Sequence, residues 1–257
     1  MKTTIILLCL VFLFTAGSHA EERTIILAYG DFPPYEFRSE GGAKGVLVDM
    51  VKDIFNEAGI PLELQFIPFK RAFEDTKRGE IDGIFSFFKT PERLAYFDYS
   101  SPLIKNELVL FVRKDSKMQY TGINSLKGKR IAVMLGFSYG PEFDAATGVL
   151  RDISTSHQGS LQKVNRGRVD AYICDKVVGL YTAQKYNLLD ELKYIQKPVA
   201  TMNGHIGFTK EKLADVISRV NAVISRMRQA GEINKRINEY IESLYNVPRS
   251  EKQEFPS

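Results

Sequence analysis

Short apolar or β-branched runs alternate along this chain with stretches whose apolar residues recur every three or four positions. That alternation constrains the fold more than any other feature. Residues 24–29 read as a strand, and Leu47, Met50, Val51, Ile54 and Ala58 then mark one face of a helix that stops at Gly59. Residues 62–67 predict a second strand, 72–78 a short helix and 81–85 a third strand. Further strands are expected over 107–112, 130–134, 149–153, 171–174 and 192–195, with helices around Leu161 and between Val177 and Tyr186. The last part is helical. Leu213, Val216, Ile217, Val220, Val223, Ile224 and Met227 line one face, Gly231 ends that helix, and Ile233, Ile237, Ile241 and Leu244 line another. Such a series predicts an α/β protein with mostly parallel sheets.

Two composition changes divide the series. Lys114-Asp115-Ser116-Lys117 opens a polar stretch that runs to Lys129, and Thr201-Met202-Asn203-Gly204 precedes the closing helical hairpin. Two such crossings imply a discontinuous first lobe, 21–113 with 205–246, and an inserted second lobe, 114–204. The polar, Pro-containing residues 247–257 form a tail. In open α/β sheets ligands bind outside the carboxyl ends of the strands, so the cleft between the lobes is the default site.

Charge and cysteine usage exclude several classes. The 257 residues carry 35 Lys+Arg against 31 Asp+Glu, a formal charge of only +4 with no polybasic run, so no nucleic-acid partner is expected. Cys9 and Cys174 are the two cysteines, and neither has metal-ligand spacing, so no metal or disulfide scaffold is expected. His157 and His205 share no such spacing either. At the N-terminus, Lys2 precedes an apolar run from Ile5 to Phe14, and Ser18-His19-Ala20 presents small residues where a signal peptidase reads. That run is too short to span a bilayer, which needs about 20 residues. A signal peptide, 1–20, cleaved after Ala20 is therefore expected, leaving a soluble periplasmic protein with Cys174 as its single thiol.

Several segments resemble the bacterial periplasmic solute-binding proteins of the amino-acid-binding type. Asp31-Phe32-Pro33-Pro34-Tyr35-Glu36-Phe37 resembles that family's early aromatic-proline loop, and Gly45-Val46-Leu47-Val48-Asp49-Met50 its entry into the first helix. Arg78-Gly79-Glu80-Ile81-Asp82-Gly83, Thr90-Pro91-Glu92-Arg93 and Phe97-Asp98-Tyr99-Ser100-Ser101-Pro102 follow in the family's order. So do Gly128 to Val133, Gly136-Phe137-Ser138, and Gly167 to Ala171 leading to Asp175. The resemblance spans nearly the whole chain after residue 20. It implies a two-lobed periplasmic-binding-protein fold with a ligand cleft, a small-molecule ligand of the amino-acid or small-acid type, hinge closure, and an ABC permease as partner. A monomer without cofactor is expected.

An amino acid needs a fixed cation for its carboxylate and a fixed anion for its ammonium. Arg suits the first task because its planar fork makes two parallel bonds and stays charged. The resemblance puts Arg93 in that role, although Thr90 and Pro91 would also start a helical turn without any ligand. It puts Asp175 on the ammonium, where a helix N-cap role competes, and Ser138 on a carboxylate oxygen. Phe32 and Phe69 fall where rings sandwich the ligand, with Tyr35 nearby and Phe137 beside Ser138. Cys174 reads as a small buried strand residue.

This chain also departs from the family. Between Asp82 and Arg93 it is one residue shorter, and Ser86-Phe87-Phe88-Lys89 is bulky where hydroxyls more often meet the ammonium. Ser86 keeps a possible contact, and Arg71 offers a second cation or a solvated helix charge. The departures suggest an atypical ligand. Relatives of the fold include cyclohexadienyl dehydratase-like enzymes and ligand-presenting sensory proteins, but no carboxylate pair or nucleophile–base motif supports catalysis.

Overall fold

The computed structural model describes residues 23–246. The signal-peptide expectation, Cys9 and the C-terminal tail lie outside the described residues. The chain opens with β1 (Ile25–Tyr29), followed by a hairpin of β2 (Phe37–Ser39) and β3 (Gly42–Lys44), and then α1 (Val46–Glu57). Next come β4 (Leu62–Phe66), α2 (Phe69–Arg78), β5 (Gly83–Phe88), a 3-10 turn (Arg93–Ala95) and β6 (Phe97–Tyr99). The long β7 (Ile104–Arg113) leads through a second 3-10 turn to β8 (Arg130–Met134), the one-turn α3 (Pro141–Asp144) and β9 (Leu150–Ser154). Then follow α4 (His157–Asn165), β10 (Ala171–Asp175), α5 (Lys176–Lys185), β11 (Leu192–Tyr194) and the long β12 (Ala200–Thr209). The helices α6 (Ala214–Gln229) and α7 (Glu232–Asn246) close the chain.

The α/β class is as expected, but the sheet is mixed rather than mostly parallel. Its order is β4-β1-β5-β12-β7-β10-β8-β9, with β11 on β7 and β6 on β12. β1 runs parallel to β4 and β5 on one side, and β8 parallel to β9 and β10 on the other. Between these groups β12 and β7 pair antiparallel with each other and with β5 and β10. Periodicity identifies strands but not their partners: β7 was expected over 107–112 without its antiparallel pairings, and β12 escaped the sequence altogether. β12 also covers 201–204, where a break between elements was expected.

The elements follow from local chemistry. α1 buries Val46, Leu47, Val48, Met50, Val51, Ile54 and Phe55, each large side chain contributing about 1.5–3 kcal/mol when fully removed from water. Its entry is fixed by Gly45, at φ 123°, where an added Cβ would sit 2.2 Å from the Tyr35 carbonyl oxygen. Only glycine allows that approach, which presses the 31–37 loop onto the helix start and lets the Leu47 amide donate to the Tyr35 carbonyl at 3.0 Å. The closing hairpin is tied to α1 from outside: Arg226 pairs with Glu57 at 2.6 Å, and the Arg219 Nε donates to the Ala58 carbonyl at 3.1 Å. Among the described residues no helix is long and apolar enough to cross a membrane.

Candidate functional site

A cavity of about 320 Å³ opens where the parallel groups end. Gly30, Asp31 and Phe32 follow β1, Phe69 and Lys70 start α2, and Phe85, Ser86 and Phe88 come from β5. Met134 to Ser138 after β8 and Thr155 after β9 complete it from the other side. Carboxyl ends of parallel strands are where open α/β sheets leave room for ligands.

Arg93 is the buried cation of this cavity, whose lining also includes the exposed Lys70, paired with Glu74. Its backbone amide donates to the Thr90 hydroxyl at 3.3 Å, the capping bond that Thr-Pro predicted. The guanidinium is buried, at 6% exposure, with its Cζ 4.5 Å from the Phe87 ring centroid and within 6 Å of those of Phe69 and Phe73. One terminal nitrogen donates to the Phe88 carbonyl at 3.0 Å, the other to the Gly136 carbonyl at 3.3 Å. Among the described residues no carboxylate lies in ion-pair range of it, and burial draws its pKa below the ordinary arginine value. A buried cation held only by neutral carbonyls keeps the capacity to bond an anion. Gly136 itself sits at φ 80°, with Lys70 carbons 3.3 Å from where a Cβ would stand, so the second side of the cleft comes close to the first here.

Glu36, a carboxyl that sequence reasoning passed over, faces the cavity. The 31–37 loop folds back on itself, Phe32 bridging to Glu36 across a cis Pro33–Pro34 bond. This turns the Glu36 carboxyl inward to 3% exposure, where Oε1 accepts from the Gly30 amide at 3.1 Å and Oε2 from the Ser86 hydroxyl at 2.7 Å. Burial pushes its pKa up to about 8, against the lowering effect of both hydrogen bonds. Ser86 reaches it from a positive-φ position, 55°, where β5 shifts register against β12. Asp31 lines the same cavity, its pKa also raised by burial.

Asp175 takes the helix N-cap role that the sequence offered beside an ammonium contact. Its Oδ1 accepts the Val177 and Val178 amides at 2.9 and 3.0 Å, so it is the N-cap of α5. Its Oδ2 accepts from Asn106 at 3.0 Å, and the Tyr35 side chain also hydrogen-bonds to it. It lies outside the main cavity's lining but lines a small adjoining pocket with Phe32, Phe88, Phe137 and Ser138, which line the cavity too, and burial pushes its pKa up to about 6. Tyr35 is drawn off with it, buried and also outside that lining. Arg71 projects from α2 with its side chain 77% exposed and pairs with Asp75 at 3.3 Å, a solvated helix charge.

The other candidates do meet at the cavity. Phe32, Phe69, Ser86, Phe137 and Ser138 line it alongside Arg93. Phe69 meets Phe137 edge-on at 4.7 Å between centroids, and Phe32 meets Phe137 at 6.2 Å, so rings from both sides close over one space. The Ser138 hydroxyl donates to Asp144, whose other oxygen accepts the Tyr139 amide at 2.9 Å. His157 and Cys174 are buried in the packing behind the cavity. His157 faces the Asp31 carbonyl through Nε2 at 3.1 Å, which places its proton there and leaves Nδ1 to accept from Tyr172 at 2.6 Å. Burial holds its pKa down at about 4. Cys174 is buried beside it, its thiol pKa raised by the same cause.

Phe66, Pro68, Lys70, Phe85, Phe88, Met134, Leu135 and Thr155 also line the space without having been singled out. Glu36 and Asp31 carried a signal: acids in a proline loop directly after a strand.

Comparison with known proteins agrees with this architecture. The model of the bacterial extracellular solute-binding proteins, family 3, matches residues 25–243. The arginine-binding extracellular protein ArtP of Bacillus subtilis is 24% identical over 249 residues, covering 91% of this chain and 96% of that protein. The putative amino-acid ABC transporter-binding protein PatH of Vibrio harveyi is 26% identical, covering 80% and 83%. Among solved structures, a P235GK mutant of ArgBP from T. maritima superimposes with a TM-score of 0.74 at 24% identity, covering 85% of this chain and 95% of that one.

Proposed function

The chain belongs to the bacterial extracellular solute-binding proteins, family 3, and on that premise we propose that it captures a small amino-acid-like solute in the cavity between β5 and β8 and hands it to a membrane ABC permease. The names of its relatives, arginine-binding and amino-acid ABC transporter-binding, support that ligand class and that partner. Residues 21–113 with 205–246 act as one lobe and 114–204 as the inserted other, with β7 and β12 as the two strands that join them. Export to the periplasm and cleavage after Ala20 belong to the same proposal.

The single observation that carries the proposal is Arg93: a buried guanidinium without a carboxylate partner, opening onto an enclosed cavity. The ligand carboxylate takes that vacant role. Glu36 is the acid that would ionise against a ligand cation, and the Phe32, Phe69 and Phe137 rings wall the space. Closure is favoured because Arg93 bonds Gly136 and Phe69 packs on Phe137 only when both sides are together. A thermal-shift screen of amino acids and related small acids identifies the ligand, since binding raises the melting temperature by mass action. Arg93→Ala should then weaken it by about 2–5 kcal/mol, roughly 30-fold or more, in calorimetry. Unchanged affinity in that variant would reject the assignment.

A further inference from the structure

A second cavity, of about 640 Å³, adjoins the main one at Arg93. The main cavity, at about 320 Å³, already falls within the roughly 300–1,000 Å³ of small-ligand sites, so a plain amino acid leaves the larger space unused. Lys70, Arg93, Phe137 and Ser138 line both. The Arg93 fork straddles the boundary. Its Nη1 donates to the carbonyl of Phe88, which lines the main cavity, and its Nη2 to that of Gly136, which lines the second.

Charge around the second cavity is one-sided. Its lining holds four cations, Lys70, Lys89, Arg93 and Arg151, against two acids, Glu92 and Asp144. Asp144 is already used, accepting from the Ser138 hydroxyl and the Tyr139 amide, and Lys70 is paired with Glu74. Lys89 faces the Tyr99 ring at 5.7 Å, and among the described residues no carboxylate lies in ion-pair range of it. Arg151 donates through one terminal nitrogen to the carbonyls of Phe143, Asp144 and Ala146, and it too has no acid partner among the described residues. These two cations come from opposite sides of the cleft, Lys89 directly after β5 and Arg151 on β9. A space so lined favours an anionic group.

An α-carbon carries a carboxylate, a nitrogen and one side chain. With the carboxylate on Arg93 and the side chain in the main cavity, a substituent on the nitrogen is the arm left to enter the second cavity, and the nitrogen stays charged as a secondary ammonium. Resting on Arg93 as the carboxylate receptor, we infer that the ligand is a two-armed amino acid whose nitrogen carries a second acidic group, an N-carboxyalkyl amino acid, received in the second cavity by Lys89 and Arg151.

Six probes test this in calorimetry: L-arginine and L-phenylalanine, each also as its N-propyl and N-(2-carboxyethyl) derivative. The two derivatives of each amino acid differ only by a terminal methyl or carboxylate. For at least one side chain the carboxyethyl derivative should bind about fivefold or more tighter than the propyl one at low salt. Because Lys89 and Arg151 are exposed, that ratio should shrink as salt rises from about 20 to about 500 mM. Lys89→Glu, a change at an exposed position, should bring the ratio to one or below. A propyl derivative that binds as tightly as the carboxyethyl one, or a ratio unmoved in Lys89→Glu, overturns the inference. So does binding of the unsubstituted amino acids alone, which leaves Arg93 as a carboxylate receptor intact. Failure of all six to bind overturns both.

Discussion

On the β5 side of the cleft the buried charges are left short of partners, whereas on the β10 side they are saturated. Arg93 has two carbonyls and three rings, and Glu36 has one amide and one hydroxyl; neither has an opposite charge in reach among the described residues. Asp175, equally buried, accepts from two amides and two side chains, and Asp144 accepts from Ser138 and Tyr139. Arg93, Glu36 and Asp175 are all buried, so burial does not separate function from architecture. What separates them is satisfaction: a buried group with every lone pair used holds the fold together, and one with capacity to spare is poised for a ligand.

Three measurements would break or sharpen that contrast. The largest effect belongs to Glu36. Its folded pKa, about 8, lies above the ordinary carboxylate value, so the folded state holds a proton that the unfolded chain has released. Its contribution to stability is full below the unfolded pKa and is lost as pH rises towards 8, with a ceiling of about 5 kcal/mol. Chemical denaturation from pH 5 to pH 9 should show Glu36→Gln gaining on the wild type as pH rises. Parallel curves would mean that Glu36 is not held neutral. A cationic ligand at pH 7 should also release a proton from it, read by calorimetry in buffers of different ionisation enthalpy.

Asp175→Ala comes next. Losing the cap and stranding Asn106 and Tyr35 should cost about 3 kcal/mol in urea unfolding. Ligand affinity should move far less than in Arg93→Ala. The opposite pattern, stability kept and binding lost, would erase the distinction between the two sides. Smallest is Arg71→Ala, which removes an exposed helix pair with Asp75 and should change stability by less than about 0.5 kcal/mol and leave affinity alone. A large affinity loss there would extend the binding surface beyond the cavity.

Much of the fold was legible in the sequence. The faces of α1 and α6, the strand Arg130–Met134 and the stop at Gly59 follow from periods and turn chemistry that act within a few residues. The mixed sheet was not, because pairing partners are set by where the chain returns. β12 finds β5 and β7 only after the intervening segment has folded. The site divides in the same way. Arg93, Phe32, Phe69, Phe137, Ser86 and Ser138 were named in advance and line the cavity, whereas Asp175, Tyr35 and Arg71 were named and do not. Glu36 lay inside a quoted motif and went unread.

The sequence by itself determined the alternation of elements, the helix ends and the presence of an arginine behind a capped turn, because these depend on near neighbours along the chain. Only the tertiary structure decided which acid is free. Glu36 is oriented by Ser86, 50 positions away, and Asp175 is consumed by Asn106, 69 positions away. Whether a carboxylate is buried, and whether its lone pairs are already taken, depends on groups that distance in sequence hides and folding brings together.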